Sequence, residues 1–120
     1  MNDRRKSLGT YGERLVEKQY IKRGYRLLDR NYRCRFGEID LIFQKEDKLY
    51  FVEVRTKSSL AYGTAEESVN WRKKGTIQKV SQVYMLEKKI HTTHVQYDFV
   101  AVYIDKLKKR AWVKRYPCAF

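Results

Sequence analysis

Proline, cysteine and long apolar runs are nearly missing from this chain of 120 residues, which has one proline, Pro117, and two cysteines, Cys34 and Cys118. The cysteines form no CxxC pair and suggest no disulfide framework, so a reducing cytoplasm is the expected setting. The longest unbroken apolar stretch is Phe99–Ile104, far short of the ~18 residues a membrane helix needs. No membrane partner is expected. The basic start, Met1-Asn2-Asp3-Arg4-Arg5-Lys6, leads into no apolar segment, which argues against a secretory signal. Repeats, low-complexity tracts and linkers are also missing. The expectation is one domain over residues 1–120, large enough to bury roughly two-thirds of its extended surface.

Acidic residues are scarce as well. Lys and Arg number 27 against 14 Asp and Glu, a net charge of +13, which points to a polyanionic partner. The charge is uneven: residues 1–35 carry +7, residues 36–70 carry −3, and residues 71–120 carry +9. A uniformly basic nucleic-acid binder has no need of that central acidic island, so its acids require an explanation. Leu, Ile, Val and Phe make up a quarter of the chain, above the level of disordered sequences despite the high charge.

The apolar positions Leu8, Tyr11, Leu15, Val16 and Tyr20 recur at helical spacing, and Lys22-Arg23-Gly24 closes that segment as a helix C-terminus does. Three runs rich in β-branched and aromatic residues follow, Tyr25–Tyr32, Glu38–Gln44 and Leu49–Thr56, separated by turn-like segments as in an antiparallel meander. Ser58–Gly63 reads as loop. Thr64-Ala65-Glu66-Glu67 has the form of a capping box, and Asn70 is a second candidate cap. The helix beyond extends to about Lys89, burying Ile77, Val80, Val83, Tyr84 and Ile90, with Gly75 as a place for a turn or kink. Val95–Ile104 and Ala111–Tyr116 are the last strands. The order is αβββαββ, an α/β domain with a mixed sheet, in which a strand, a long helix and a strand form a parallel crossover.

Asp and Glu pack poorly inside strands, yet the second strand reads Gly37-Glu38-Ile39-Asp40-Leu41-Ile42-Phe43 and the third Phe51-Val52-Glu53-Val54-Arg55-Thr56. Period-two alternation puts Glu38, Asp40 and Ile42 on one face, and Phe51, Glu53 and Arg55 on one face of the next strand. If the strands are neighbours, Asp40, Glu53 and Arg55 meet among apolar residues. Two carboxylates about 4 Å apart repel by roughly 4 kcal/mol at an effective dielectric of 20, so something must neutralise them. A hard divalent cation, Mg²⁺ or Mn²⁺, does so, and a basic residue two positions after Glu53 can balance charge on a phosphate. The competing reading is a buried Asp40–Arg55 ion pair with no chemistry.

Gly9-Thr10-Tyr11-Gly12-Glu13, the run from Asn31 to Ile42, Phe51-Val52-Glu53-Val54-Arg55-Thr56-Lys57 and Tyr97-Asp98-Phe99-Val100-Ala101-Val102 together resemble the YraN-like family, from about Leu8 to Val102. That resemblance implies a restriction-endonuclease-like fold, a mixed β-sheet flanked by helices. It is similar to the PD-(D/E)xK endonucleases and, within them, to archaeal Holliday junction resolvases. It places Asp40 as a metal-binding acid, Glu53 as the second acid, the Val54 carbonyl as a further ligand, and Glu13 as a supporting acid from the first helix. Arg55 stands where nuclease members usually carry Lys. Arg stays protonated, whereas Lys can shift its pKa and activate water. Glu38 belongs to the matching motif without a fixed role, and Lys73 matches a basic position at the start of the long helix. Resolvase-like relatives act as dimers, so a homodimer is compatible with the resemblance.

Arg72, Lys73, Lys57, Arg33 and Arg35 are the expected nucleic-acid contacts, within basic runs that together favour a phosphate-tracking surface. Trp71, Tyr32, Tyr62 and Trp112 lie near such charges, either as stacking platforms for unpaired bases or as core residues. His91 and His94 fall in a loop with no third ligand near them. The functional expectation is a metal-dependent endonuclease-like protein acting on DNA. The alternatives are a nucleic-acid-binding module on the same fold and a small RNA- or ribosome-associated protein.

Overall fold

The computed structural model describes residues 4–58, 71–92 and 94–120, with side chains of the two helices beginning at Ser7 and Lys74. The predicted capping box at Thr64–Glu67, the Asn70 cap, the loop from residue 59 to Gly63 and the side chains of Trp71, Arg72 and Lys73 lie outside the described residues. Helix α1 (Arg4–Lys22) leads into strands β1 (Arg26–Cys34), β2 (Gly37–Lys45) and β3 (Lys48–Lys57). Helix α2 (Trp71–Glu87) then precedes β4 (Val95–Asp105) and β5 (Arg110–Tyr116). The order is the αβββαββ expected from the sequence.

All five strands form one sheet in chain order, β1-β2-β3-β4-β5. β1–β2, β2–β3 and β4–β5 pair antiparallel, and β3–β4, joined through α2, is parallel. Alternation along the strands divides the core into two layers. Val16 and Tyr20 of α1 pack with Leu41, Phe43, Val52, Val54, Val100 and Val102. Ile77, Val80 and Tyr84 of α2 pack with Ile39, Ile42, Leu49 and Phe51. Phe43, Phe51 and Phe99 are among the largest fully buried side chains, and truncating any of them to Ala is expected to cost about 3–5 kcal/mol.

The helices end on identifiable local chemistry. Tyr25 N–H donates to Tyr20 C=O at 3.1 Å and Gly24 N–H to Ile21 C=O at 3.0 Å, with Gly24 at φ 93°. This is a Schellman closure with glycine in the left-handed position. The same pair of bonds ends α2, from Ile90 to Met85 and from Lys89 to Leu86, but there Lys89 takes φ 56°. The helix α2 runs unbroken through Gly75.

Two glycines let the helices close on the sheet. A methyl group at Gly12 would fall on Thr56 Oγ1, and one at Gly37, where φ is 144°, would stand 2.7 Å from Thr76 Cγ2 of α2. Gly12 therefore occupies the contact position on α1, and Tyr11, expected on the buried face, is instead 48% exposed. The helix rotates so that its smallest residue, rather than its nearest ring, meets the strand.

Candidate functional site

The β2–β3 ladder stops at Leu41↔Val52. Beyond that rung the strands are joined by a side chain: Asp40 Oδ2 accepts the Val54 N–H at 2.7 Å. Strict alternation also breaks there, since Ile39 packs in the same layer as Ile42 rather than with Leu41. The period-two expectation thus fails at Ile39, while Asp40 meets Glu53 as the alternation of the two strands requires. The hydrogen bond from Val54 N–H holds the Asp40 carboxyl against β3.

Asp40 and Glu53 are 5% and 3% exposed, and their side chains hydrogen-bond to each other. Burial pushes the Asp40 carboxyl well above the ordinary range, and its hydrogen bond to Glu53 and the charge of Glu53 push it further, against the opposing pull of the Val54 N–H. Burial also raises Glu53, while its hydrogen bond with Asp40 and the charge of Arg55 counteract this. Both carboxyls are thus displaced upward, and the pair is favoured with one proton between them, because two buried like charges at hydrogen-bond distance do not both ionise at low cost.

Arg55 donates Nη1 to Val54 C=O at 3.2 Å and Nη2 to Glu53 Oε2 at 3.4 Å. The alternative of an Asp40–Arg55 ion pair gives way to this contact between neighbours on β3. The Arg55 side chain is 37% exposed, so it bridges the buried acids and solvent.

Glu13 projects from α1 beside the pair. Burial raises its carboxyl, the hydrogen bond from Asn31 opposes this, and the charges of Glu38 and Glu53 raise it further. Two consecutive residues of β1 hold two acids one helical turn apart. Arg30 donates to both oxygens of Glu17, at 2.6 and 2.8 Å, and Asn31 Nδ2 donates to Glu13 Oε1 at 3.0 Å. Neighbours on a regular strand point to opposite faces, but Asn31 at φ 50° breaks that rule and lets both side chains meet α1. Asn31 was missed in the sequence. Its signal was an Asn inside a strand-like run, where that residue type is depleted.

Glu38 is held by Arg33 Nη2 at 2.9 Å near the β1–β2 turn, and its charge reaches Glu13. Arg35 is exposed in that turn with its guanidinium 4.8 Å from the Phe36 ring centroid. Lys57 is half-buried at the end of β3. Arg72 and Lys73 have their backbone in the first turn of α2. The predicted basic contacts are therefore spread over several elements, and Arg33 is occupied by an acid.

Among the described residues no three of His, Cys, Asp and Glu converge to make a ready cation cage. The donor chemistry suits a hard cation all the same. Asp40, Glu53 and the Val54 carbonyl offer only oxygen, and Mg²⁺ binds through one or two carboxylates while keeping several waters. A second buried polar cluster is structural: Asp98, fully buried, accepts from Tyr20 at 2.7 Å, Arg115 at 3.0 Å and Gln96 at 2.8 Å. His94 is hydrogen-bonded to Asp47 at 3.1 Å, and both cysteines are free thiols.

Among the described residues, the five-stranded mixed sheet flanked by two helices, with acids where β2 and β3 part, is consistent with a restriction-endonuclease-like α/β fold. Residues 12–102 match the Uncharacterised protein family UPF0102. A UPF0102 protein of Alkaliphilus oremlandii is 40% identical over 115 residues, covering 96% of this chain and 98% of that one. The UPF0102 protein CLJ_B2665 of Clostridium botulinum is 36% identical over 117 residues, covering 96% and 94%. The chain belongs to the UPF0102, or YraN-like, family. Among the described residues no helix is long and apolar enough to cross a membrane.

Proposed function

We propose that this protein is a metal-dependent endonuclease acting on DNA. The observation that carries the reading is the buried Asp40–Glu53 pair at the point where β2 and β3 separate, with Arg55 at its solvent side. A buried carboxylate pair with raised pKa values is a poor structural device, since apolar residues in its place are commonly neutral or stabilising. In this reading Asp40, Glu53 and the Val54 carbonyl would hold the cation, which would supply charge neutralisation and Lewis acidity at the phosphate. Arg55 turns its guanidinium from Glu53 to a phosphate oxygen, and Glu13, poised with a raised pKa, orients water at the rim. The net charge of +13 draws the DNA backbone in.

A second reading has its own observation. Arg55 cannot give up a proton as Lys can, and here it already donates to Val54 and Glu53. That arrangement favours a binding module that keeps the fold without turnover. One experiment separates the two: a panel of single-stranded, duplex, flap and four-way-junction DNA, with RNA, incubated in Mg²⁺ or Mn²⁺ with wild type, Asp40→Asn and Glu53→Gln. Metal-dependent cleavage lost in both variants is the expected result. Equal trace cleavage in all three proteins sinks the catalytic reading, and tight salt-dependent binding indifferent to EDTA then supports the module.

A further inference from the structure

The register across β3, β4 and β5 aligns three rungs: Glu53 with Phe99 and Tyr116, Arg55 with Ala101 and Lys114, and Lys57 with Tyr103 and Trp112. Because side chains alternate along strands, these residues occupy one sheet face that begins at Glu53 and ends at Trp112. The Trp112 ring is stacked on Tyr103, with centroids 5.5 Å apart and planes inclined by 19°. Tyr103 is buried, whereas Trp112 is 46% exposed. An indole packed on one side and open on the other is a rigid apolar plate at the surface.

A surface pocket of about 340 Å³ opens beside this plate, lined by Lys57, Tyr103, Lys106, Leu107 and Trp112. Among the described lining residues the one acid, Asp105, is turned to the hairpin backbone, where Oδ1 accepts the N–H groups of Leu107 and Lys108 at 3.1 Å each. The cations are left facing outward: Lys106, Lys108, Lys109 and Arg110 are all exposed around the β4–β5 turn. An aromatic plate among basic side chains matches an unpaired base flanked by phosphates, since every base offers a π-face and every linkage a negative charge. Strand geometry puts Trp112 about 12 Å from Arg55, two residues along and two strands across.

We propose that Trp112, supported by Tyr103 and ringed by Lys57 and Lys106, is a stacking site for an unpaired nucleobase on a single strand leaving the Asp40–Glu53 site. The proposal rests on the DNA reading above, but its test needs neither metal nor cleavage. Binding is measured by fluorescence anisotropy in EDTA with a short labelled oligothymidylate and with a duplex of equal length, for wild type, Trp112→Ala and Trp112→Phe. Trp112→Ala is expected to weaken single-strand binding about tenfold, leave duplex binding within about twofold, and be largely rescued by Trp112→Phe. A Trp71→Phe protein, in which Trp112 is the one indole, is expected to lose emission on adding oligothymidylate.

Unchanged single-strand affinity in both Trp112 variants overturns the proposal, as does an equal loss on duplex and single strand. So does a Trp112 emission that shifts to the blue with phosphatidylserine vesicles and ignores the oligonucleotide, which assigns the face to an anionic lipid surface. Wild type that binds no nucleic acid defeats the DNA reading itself. Cleavage abolished by Asp40→Asn alongside binding indifferent to Trp112 defeats only the stacking site.

Discussion

Asp40 accepts the Val54 N–H at 2.7 Å, and the residue between that N–H and the rest of the β2–β3 ladder is Glu53. One carboxyl therefore closes the strand pair through one oxygen and meets the second acid through its side chain. This double role decides which substitution is informative.

Asp40→Ala leaves a buried N–H without its acceptor, a loss of about 1–3 kcal/mol, offset in part by relief of the acid–acid repulsion. Asp40→Asn retains an oxygen for Val54 and offers Glu53 an N–H in place of the shared proton. The expected outcome in urea denaturation is an Asn variant at least as stable as wild type and an Ala variant less stable than the Asn. Loss of cleavage in the Asn protein is then chemistry rather than unfolding. An Asn variant that unfolds as readily as the Ala variant contradicts this.

The raised pKa values of Asp40 and Glu53 give a pH dependence of definite sign. A carboxyl with a higher pKa folded than unfolded binds protons better when folded. Its contribution is complete below the ordinary range near pH ~4 and is lost as pH rises through the raised value. Glu17, held low by Arg30, works in the opposite direction, but it is present in both proteins and cancels in a difference. In EDTA, wild type is expected to lose thermal stability relative to Asp40→Asn as pH rises from ~4 to ~8. Added Mg²⁺ should raise the wild-type midpoint at the upper pH and leave the Asn variant nearly unmoved. Parallel pH profiles would falsify the shared-proton description.

Gly9 and Gly12 lie three residues apart on α1 and predict opposite effects. Nothing stands within 4 Å of a Cβ at Gly9, whereas one at Gly12 collides with Thr56. Gly9→Ala is expected to stabilise the helix by about 0.5–1 kcal/mol. Gly12→Ala is expected to cost about 1–3 kcal/mol by overpacking and, in the enzyme reading, to lower cleavage as well, because α1 carries Glu13. Thr56→Ala removes the colliding oxygen and should return part of that loss in a double-mutant cycle. Additive effects would show that the contact does not limit how closely α1 approaches.

The element order was legible because each segment carries its own signal: Lys22-Arg23-Gly24 ends α1, and β-branched and aromatic residues fill the five strands. The acids Asp40 and Glu53 stood out because strands rarely hold them, and the structure brings them together. Other features were hidden because they depend on contacts between distant segments. The exposure of Tyr11 follows from the closeness of Gly12 to Thr56, and periodicity cannot choose between adjacent positions on a helix. Asn31 needed its left-handed backbone to turn toward Glu13. The break in alternation between Ile39 and Leu41 is a tertiary event, invisible to a strict period of two.

Arg55 separates catalysis from binding most sharply. Its charge holds Glu53 down against burial, so Arg55→Met should raise Glu53 further and move the rising limb of a cleavage pH profile upward. Removal of one preorganised donor to developing phosphate charge costs about 10²–10³ in rate, and the loss should appear in kcat more than in KM. Arg55→Lys keeps the charge and restores the residue type that nucleases with a similar motif usually carry. In the enzyme reading it retains measurable cleavage, with a shallower loss than Arg55→Met. In the binding-module reading neither variant cuts, and both lower affinity only by what one phosphate contact contributes, seen as a salt slope reduced by about one.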